Sequence, residues 1–212
     1  MSQTATISER LLKERVIAIL RGARSPRVEP IVDALRGAGL TFIEITCEAE
    51  GGVETLAALR SRFGGAIHLG AGTIVNAQQA QAAVEAGAQY LVSPGLFEDV
   101  STFAHRHDVV YIPGVLTATE IGLALRWGHG ILKLFPAGLM GPEYLRAMQA
   151  PYPGAAFFAV GNIGPDDIAA YLRAGAAGVA LGSQLAGRGD APDIIAARAR
   201  TVVDQIRQSA TA

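Results

Sequence analysis

Short apolar runs recur along this chain, each separated from the next by a polar stretch of helical character. Four of the runs follow a glycine by a few residues: "GAGLTFIEIT", "EAGAQYLVSP", "RWGHGILKLF" and "RAGAAGVALGS". Gly39, Gly87, Gly128 and Gly175 stand where helices end in a left-handed residue, a conformation that glycine adopts without a Cβ clash. The alternate runs are VIAIL (16–20), IHLGAG (67–72), VVYIPG (109–114) and FFAVG (157–161). Helix starts carry signals of their own. Thr6 with Glu9 and Thr117 with Glu120 have capping-box spacing, Ser25 precedes Pro26, and Pro165 is followed by Asp166 and Asp167. Eight strand–helix units without a break in composition predict one domain over residues 1–212. Its expected form is a (β/α)8 barrel behind a short N-terminal helix. A doubly wound open sheet is the alternative, but no GxGxxG follows the first strand.

Composition narrows the function classes. Half of the 212 residues are hydrophobic and 25 are glycine, which suits helices packed closely on strands. A formal net charge of -1 leaves no electrostatic footprint for nucleic acid or an acidic membrane. Cys47 is the only cysteine, so no internal disulfide forms and a reducing cytoplasm is the expected compartment. The opening "MSQTATISERLLKER" lacks the apolar core of a signal peptide, and no run approaches the ~20 apolar residues of a membrane span. No HExxH or cysteine cluster is present, so neither a metal nor a cofactor is expected. His105 and His107 are two apart on a predicted helix and face different ways, whereas His68 and His129 stand at strand starts, the stabilising face of a barrel. Cys47 has no histidine tied to it by pattern and reads as a small buried thiol.

Charge usage singles out one residue. The chain has 18 basic residues, of which two are lysines, Lys13 and Lys133. Lys133 lies in "WGHGILKLFPAG", where burying an ammonium without a partner opposes folding. Side chains alternate along a strand, so Ile131, Lys133 and Phe135 share one face and Leu132 and Leu134 the other. In "FIEIT" the same parity groups Phe42, Glu44 and Thr46 against Ile43 and Ile45. The outer face of a barrel strand lies under helices, so the charged sets point inward, toward the C-terminal mouth where barrel active sites form. A self-satisfied buried ion pair is one reading of Lys133 and Glu44. Desolvation also makes an amine nucleophilic by disfavouring its ammonium form, and a carboxyl group nearby moves the protons of imine chemistry. That combination points to Schiff-base chemistry on a ketone or aldehyde.

Six motifs, "EIT", "GAGT", "SPG", "IPG", "KLFPA" and "LGS", fall in order at successive strand ends. Together they resemble the class I aldolases that act on 2-keto-3-deoxy-6-phosphogluconate, its galactonate epimer and 2-keto-4-hydroxyglutarate. The resemblance covers residues 16 to 190, and "IAILRG", "GPEY" and "FFAVG" resemble the phosphogalactonate branch. It implies a cofactor-free cytoplasmic homotrimer that cleaves a small keto acid to pyruvate and an aldehyde, without nucleic-acid or membrane partners. By the resemblance Lys133 is the Schiff-base lysine and Glu44 the general acid/base. Thr73 would hold the pyruvate carboxylate, and Arg21 is an anion ligand at the first strand. Pro94, in Ser93-Pro94, and Pro113-Gly114 read either as strand-ending turns or as substrate contacts. Phe135 either packs on pyruvate or fills the core. Backbone N–H groups at Gly161-Asn162 and Gly182-Ser183 would cradle a phosphate.

Two positions depart from the family pattern. Cys47-Glu48-Ala49 puts a carboxylate where many members carry arginine, and Asn162 replaces the second glycine of a Gly-Gly pair. Asparagine tolerates left-handed backbone better than most residues, so the cradle is compatible with it. An unphosphorylated 2-keto-4-hydroxy acid remains a substrate alternative. A phosphate-binding barrel isomerase or epimerase, with Lys133 as an electrostatic group, is the alternative from another class. A non-catalytic binding protein on the same fold finds support only in Glu48 and Asn162.

Overall fold

A computed structural model of the protein describes residues 3–22, 25–48 and 50–209. Helix α1 (Gln3–Glu14) leads into β1 (Val16–Leu20), and α2 (Ser25–Gly37) into β2 (Phe42–Thr46). Next come α3 (Gly52–Phe63), β3 (His68–Gly72), α4 (Ala77–Glu85), β4 (Tyr90–Val92) and α5 (Glu98–Arg106). The fifth strand is split into β5 (Val110–Ile112) and β6 (Gly114–Val115), followed by α6 (Ala118–Arg126) and β7 (Ile131–Leu134). Two helices, α7 (Ala137–Met140) and α8 (Pro142–Gln149), precede β8 (Ala156–Val160). The chain ends through α9 (Ile168–Arg173), β9 (Gly178–Leu181) and α10 (Pro192–Ser209).

All the strands pair in parallel, in the order β5-β4-β3-β2-β1-β9-β8-β7-β6. The expected fifth strand breaks at Pro113, which has no N–H to give to a ladder. Its first half pairs with β4, Val92 opposite Ile112, and its second half with β7, Gly114 opposite Lys133. The Lys133 N–H donates to the Pro113 carbonyl (2.9 Å), so both edges of the sheet meet on one stretch of chain. The result is the (β/α)8 barrel, with one strand shared between two neighbours.

Strand parity sorts the core into two shells. Ala18, Ile43, Ile45, Leu132 and Leu134 face outward and join one apolar cluster with the helices. Ile17, Ile19, Phe42, Tyr90, Val110 and Phe158 face inward and form a second. Ile7 and Leu11 of α1 belong to this inner cluster, so the N-terminal helix is the floor of the barrel. That docking corrects one expected start. Thr6 does not cap α1, because the helix already runs from Gln3 and the Thr4 hydroxyl donates to Asp108 Oδ1 (2.7 Å). The tertiary contact carries the helix upstream of the local capping signal. Thr117 with Glu120 forms the expected capping box. The Ser25-Pro26 start lies where side chains fall outside the described residues. Gly39, Gly87, Gly128 and Gly175 all take positive φ, as the helix ends require. No helix among the described residues is long and apolar enough to cross a membrane.

His129, near the start of β7, is 6% exposed and shares a 2.6 Å hydrogen bond between Nε2 and Ser101 Oγ. Its ring stacks on His105 (4.9 Å between centroids) and meets Tyr111 edge-on. Burial, aided by the charge of His105, pushes its pKa down to about 4. The folded protein therefore resists a proton that the unfolded chain accepts near its ordinary value. Stability from this site is complete above about pH 6.5 and is lost as the pH falls toward 4, at no more than ~1.4 kcal/mol per pH unit for one proton. Urea titrations between pH 7.5 and 4.5 should show that decline, and His129→Gln should flatten it. An unchanged slope in the variant would remove His129 as its source.

Candidate active site

The C-terminal mouth of the barrel is where the two predicted charged side chains meet the interior. Glu44, in the middle of β2, is 1% exposed, and Lys133, the third residue of β7, is 3% exposed. Phe42, two residues before Glu44 on β2, and Phe158, the ladder partner of Lys133 on β8, belong to the inward-facing core. The Lys133 Nζ sits 4.8 Å from the centroid of the Phe135 ring, a cation–π distance. Oε2 of Glu44 and Oγ1 of Thr46 are buried without a hydrogen-bond partner. A buried orphan carboxylate oxygen costs free energy unless it is protonated or meets a ligand. Local parity put these atoms here, and the closed ladder keeps water away from them.

Electrostatics push both groups toward neutrality. Burial lowers the Lys133 pKa below its usual 10.5, opposed by the charge of Glu44, with Arg21 adding to the fall and Glu48 opposing it. Burial raises the Glu44 carboxyl above 4.5 against the pull of Lys133 and Arg21. An uncharged amine is a nucleophile, and a carboxylic acid beside it can give and take protons. Cys47 differs. It is half-buried, not fully buried as expected, and burial beside Glu48, Glu44 and Glu54 pushes its thiol up to about 12. Such a thiol stays protonated and inert near neutral pH.

Space for Glu44 comes from a residue that alternation singles out only once the interior is known. Gly72, the last residue of β3, lies opposite Thr46, and a Cβ built on it would come within 1.9 Å of Glu44 Oε1. Gly70 on the same face leaves room for the Tyr90 ring, whose buried hydroxyl has no partner. Two glycines at strand spacing on an inward face were the readable signal for this room. Parity put Thr46 on the inward face, but its isolation and that of Tyr90 are visible only in three dimensions.

The other expected site residues gather at the same rim. Thr73 follows Gly72 with φ 62, a left-handed conformation unusual for a β-branched residue. Pro94, half-buried, follows β4. Gly161 (φ 96) and Asn162 (φ 52) form the left-handed turn after β8 that the sequence allowed. A Cβ on Gly161 would lie 2.9 Å from the Phe135 ring, so this turn packs directly against the lysine strand. The Gly161 carbonyl accepts from the Gly138 N–H (2.9 Å), which ties the turn to α7. Gly182 and Ser183 follow β9, and the Gly182 carbonyl accepts from Leu185 and Ala186. No hydrogen bond among the described residues uses the N–H of Asn162 or Ser183, which leaves donors for an anion. Arg21, just beyond β1, pairs with Glu48 at 3.6 Å. No group of three His, Cys, Asp or Glu that could hold a metal occurs among the described residues.

Known proteins are similar to this chain in sequence and fold. Residues 7–198 match the sequence profile of KDPG and KHG aldolases. The 2-dehydro-3-deoxy-6-phosphogalactonate aldolase of Escherichia coli (strain K12) is 33% identical over 92% of this chain and 95% of its own. The 2-dehydro-3-deoxy-phosphogluconate aldolase of Treponema pallidum (strain Nichols) is 37% identical over 79% of this chain and 80% of its own. A solved structure described as native KDPGal superposes with a TM-score of 0.89 at 32% identity, over 93% of this chain and 96% of that one. A (β/α)8 barrel with a desolvated lysine and carboxylate at its mouth, matched along nearly its full length, thus belongs to the KDPG and KHG aldolase family of lyases.

Proposed function

We propose that the protein is a class I aldolase cleaving a 2-keto-3-deoxy-6-phospho sugar acid to pyruvate and glyceraldehyde 3-phosphate, with Lys133 as the Schiff-base nucleophile. The observation that carries this reading is the buried Lys133 amine facing into one mouth with the buried Glu44 carboxyl, whose Oε2 has no hydrogen-bond partner. The neutral amine attacks the C2 carbonyl, forming the C–N bond of a carbinolamine, and Glu44 donates the proton with which its hydroxyl leaves as water. The resulting iminium draws electrons when a base takes the C4 hydroxyl proton and the C3–C4 bond breaks. Aldehyde leaves, the enamine is reprotonated at C3, and water returns to release pyruvate and the free amine. Among the described residues Glu44 is the one fully buried carboxyl, and it acts on Lys133, so the proton transfers are assigned to it.

Charge at the rim supports the phosphorylated substrate. The free N–H groups of Asn162 and Ser183 follow β8 and β9, the last two strands, where barrels commonly hold phosphate. Thr73, held left-handed beside Glu44's strand, is the candidate for the pyruvate carboxylate, together with Arg21. Strain at such a residue persists where the surrounding fold enforces it. The phosphogalactonate named for the Escherichia coli relative favours that epimer. A similar chain in a cage designed by fusing symmetric oligomeric domains favours a homo-oligomer, a trimer by the family resemblance.

Incubation with pyruvate and borohydride, followed by intact mass and peptide mapping, should find one adduct, on Lys133. Unmodified protein under conditions that trap a known class I aldolase would overturn the reading. Lys133→Met should lose trapping and turnover while replacing a desolvated polar amine in an apolar wall with an apolar side chain. Its Tm should rise by about 2–4 °C, the shift that ~1 kcal/mol gives in a domain of this size. A fall in Tm would mean that the ammonium stabilises the fold.

The pH dependence of trapping tests the partner. Trapping should grow as Lys133 loses its proton, at a pH below the ordinary lysine range. Glu44's charge holds that pKa up, so Glu44→Gln should move the limb to still lower pH while turnover falls by about 10²-fold or more. A limb that stays in place, or turnover that persists, would take Glu44 out of the mechanism. Gly72→Ala should reproduce the turnover defect, because its methyl would occupy the place of Glu44 Oε1. Full activity in Gly72→Ala would show that Glu44 can work from elsewhere.

A further inference from the structure

The cation best placed for a substrate carboxylate already holds one. Arg21 Nη1 lies 3.6 Å from Glu48 Oε1, with side chains 51% and 40% exposed. Arg21 follows the last residue of β1, and Glu48 stands two residues past the end of β2. These strands are direct neighbours, Leu20 opposite Ile45, so the barrel's own register brings the two loop residues together. The pair also reaches the chemistry. Arg21 and Glu48 act with opposite sign on both Lys133 and Glu44. An internal carboxylate on a guanidinium makes the same charge-assisted contact that a 2-keto acid would make there.

We propose that Glu48 is an internal competitor for Arg21, a built-in carboxylate that the substrate's own carboxylate must displace, and that it sets how tightly this site holds 2-keto acids. The inference rests on the Schiff-base reading above. An exposed ion pair of this kind is weak enough to exchange, so it tempers binding without blocking it. A second carboxylate arriving beside an unmoved Glu48 meets like-charge repulsion, which adds to the discrimination. The penalty falls before the C–N bond forms. It therefore weighs on the half-saturating substrate concentration and spares the maximal rate.

Glu48→Gln keeps the size of the side chain and removes its charge. Borohydride trapping measured across a range of pyruvate concentrations should show half-saturation at about three- to tenfold less pyruvate than in the wild type. The maximal trapping rate, read at a pH where Lys133 has already lost its proton, should change less than about twofold, because Glu48 does not touch the reacting atoms. In an Arg21→Gln background the same substitution should bring no gain, since there is nothing left to compete for. Equal or weaker pyruvate affinity in Glu48→Gln overturns the proposal and makes Glu48 a support for Arg21. A gain of the same size without Arg21 overturns it as well. Calorimetric titration with pyruvate reads these affinities whether or not an imine forms. A wild-type protein that binds pyruvate but is never trapped thus counts against the Schiff-base reading, while the affinity ratio still decides the competition.

Discussion

Removal of Lys133 and Glu44 from water, inside a barrel whose two edges close on one strand, is the constraint around which the other features of this molecule arrange themselves. Water would restore both charges and leave an ordinary lysine and glutamate. The closed parallel ladder excludes it from the sides, and Phe42, Tyr90 and Phe158 exclude it from below. α1 seals the floor with Ile7 and Leu11. The cost of holding two ionisable groups in such surroundings is met by the large apolar shell between strands and helices. A site of this kind is a local instability kept in place by the surrounding packing.

The mouth divides its labour by strand. β2 and β7 bring the buried carboxyl and the amine, and β3 ends in the glycine that makes room for the carboxyl. The turns after β8 and β9 present free backbone donors, and the first turn packs against Phe135, which in turn lies under the lysine. The rim turns and the lysine strand are thus registered to one another through contacts a few ångströms long. Loops at this rim can vary without disturbing the interior.

Much of this was legible in the chain. Alternation in "ILKLF" and "FIEIT" settled which way Lys133 and Glu44 point, because strand parity is a property of the backbone and needs no tertiary knowledge. Left-handed glycines after helices located the strand starts for the same local reason. The first helix start was misread at Thr6, where a long-range bond from Thr4 to Asp108 outweighed a local capping pattern. Cys47 read as a buried thiol, yet it lies past the end of β2, where the closed wall gives way to the open rim and burial is partial.

What the sequence determined by itself was periodicity: eight strand–helix units, their inward faces, and one lysine that apolar neighbours make costly. What only the tertiary structure decided was proximity between residues far apart in the chain. The split of the fifth strand at Pro113, the overlap that Gly72 avoids with Glu44, and the Arg21–Glu48 pair all depend on ladder register. Register is set by how the whole sheet closes, and a short stretch of sequence carries no record of that closure.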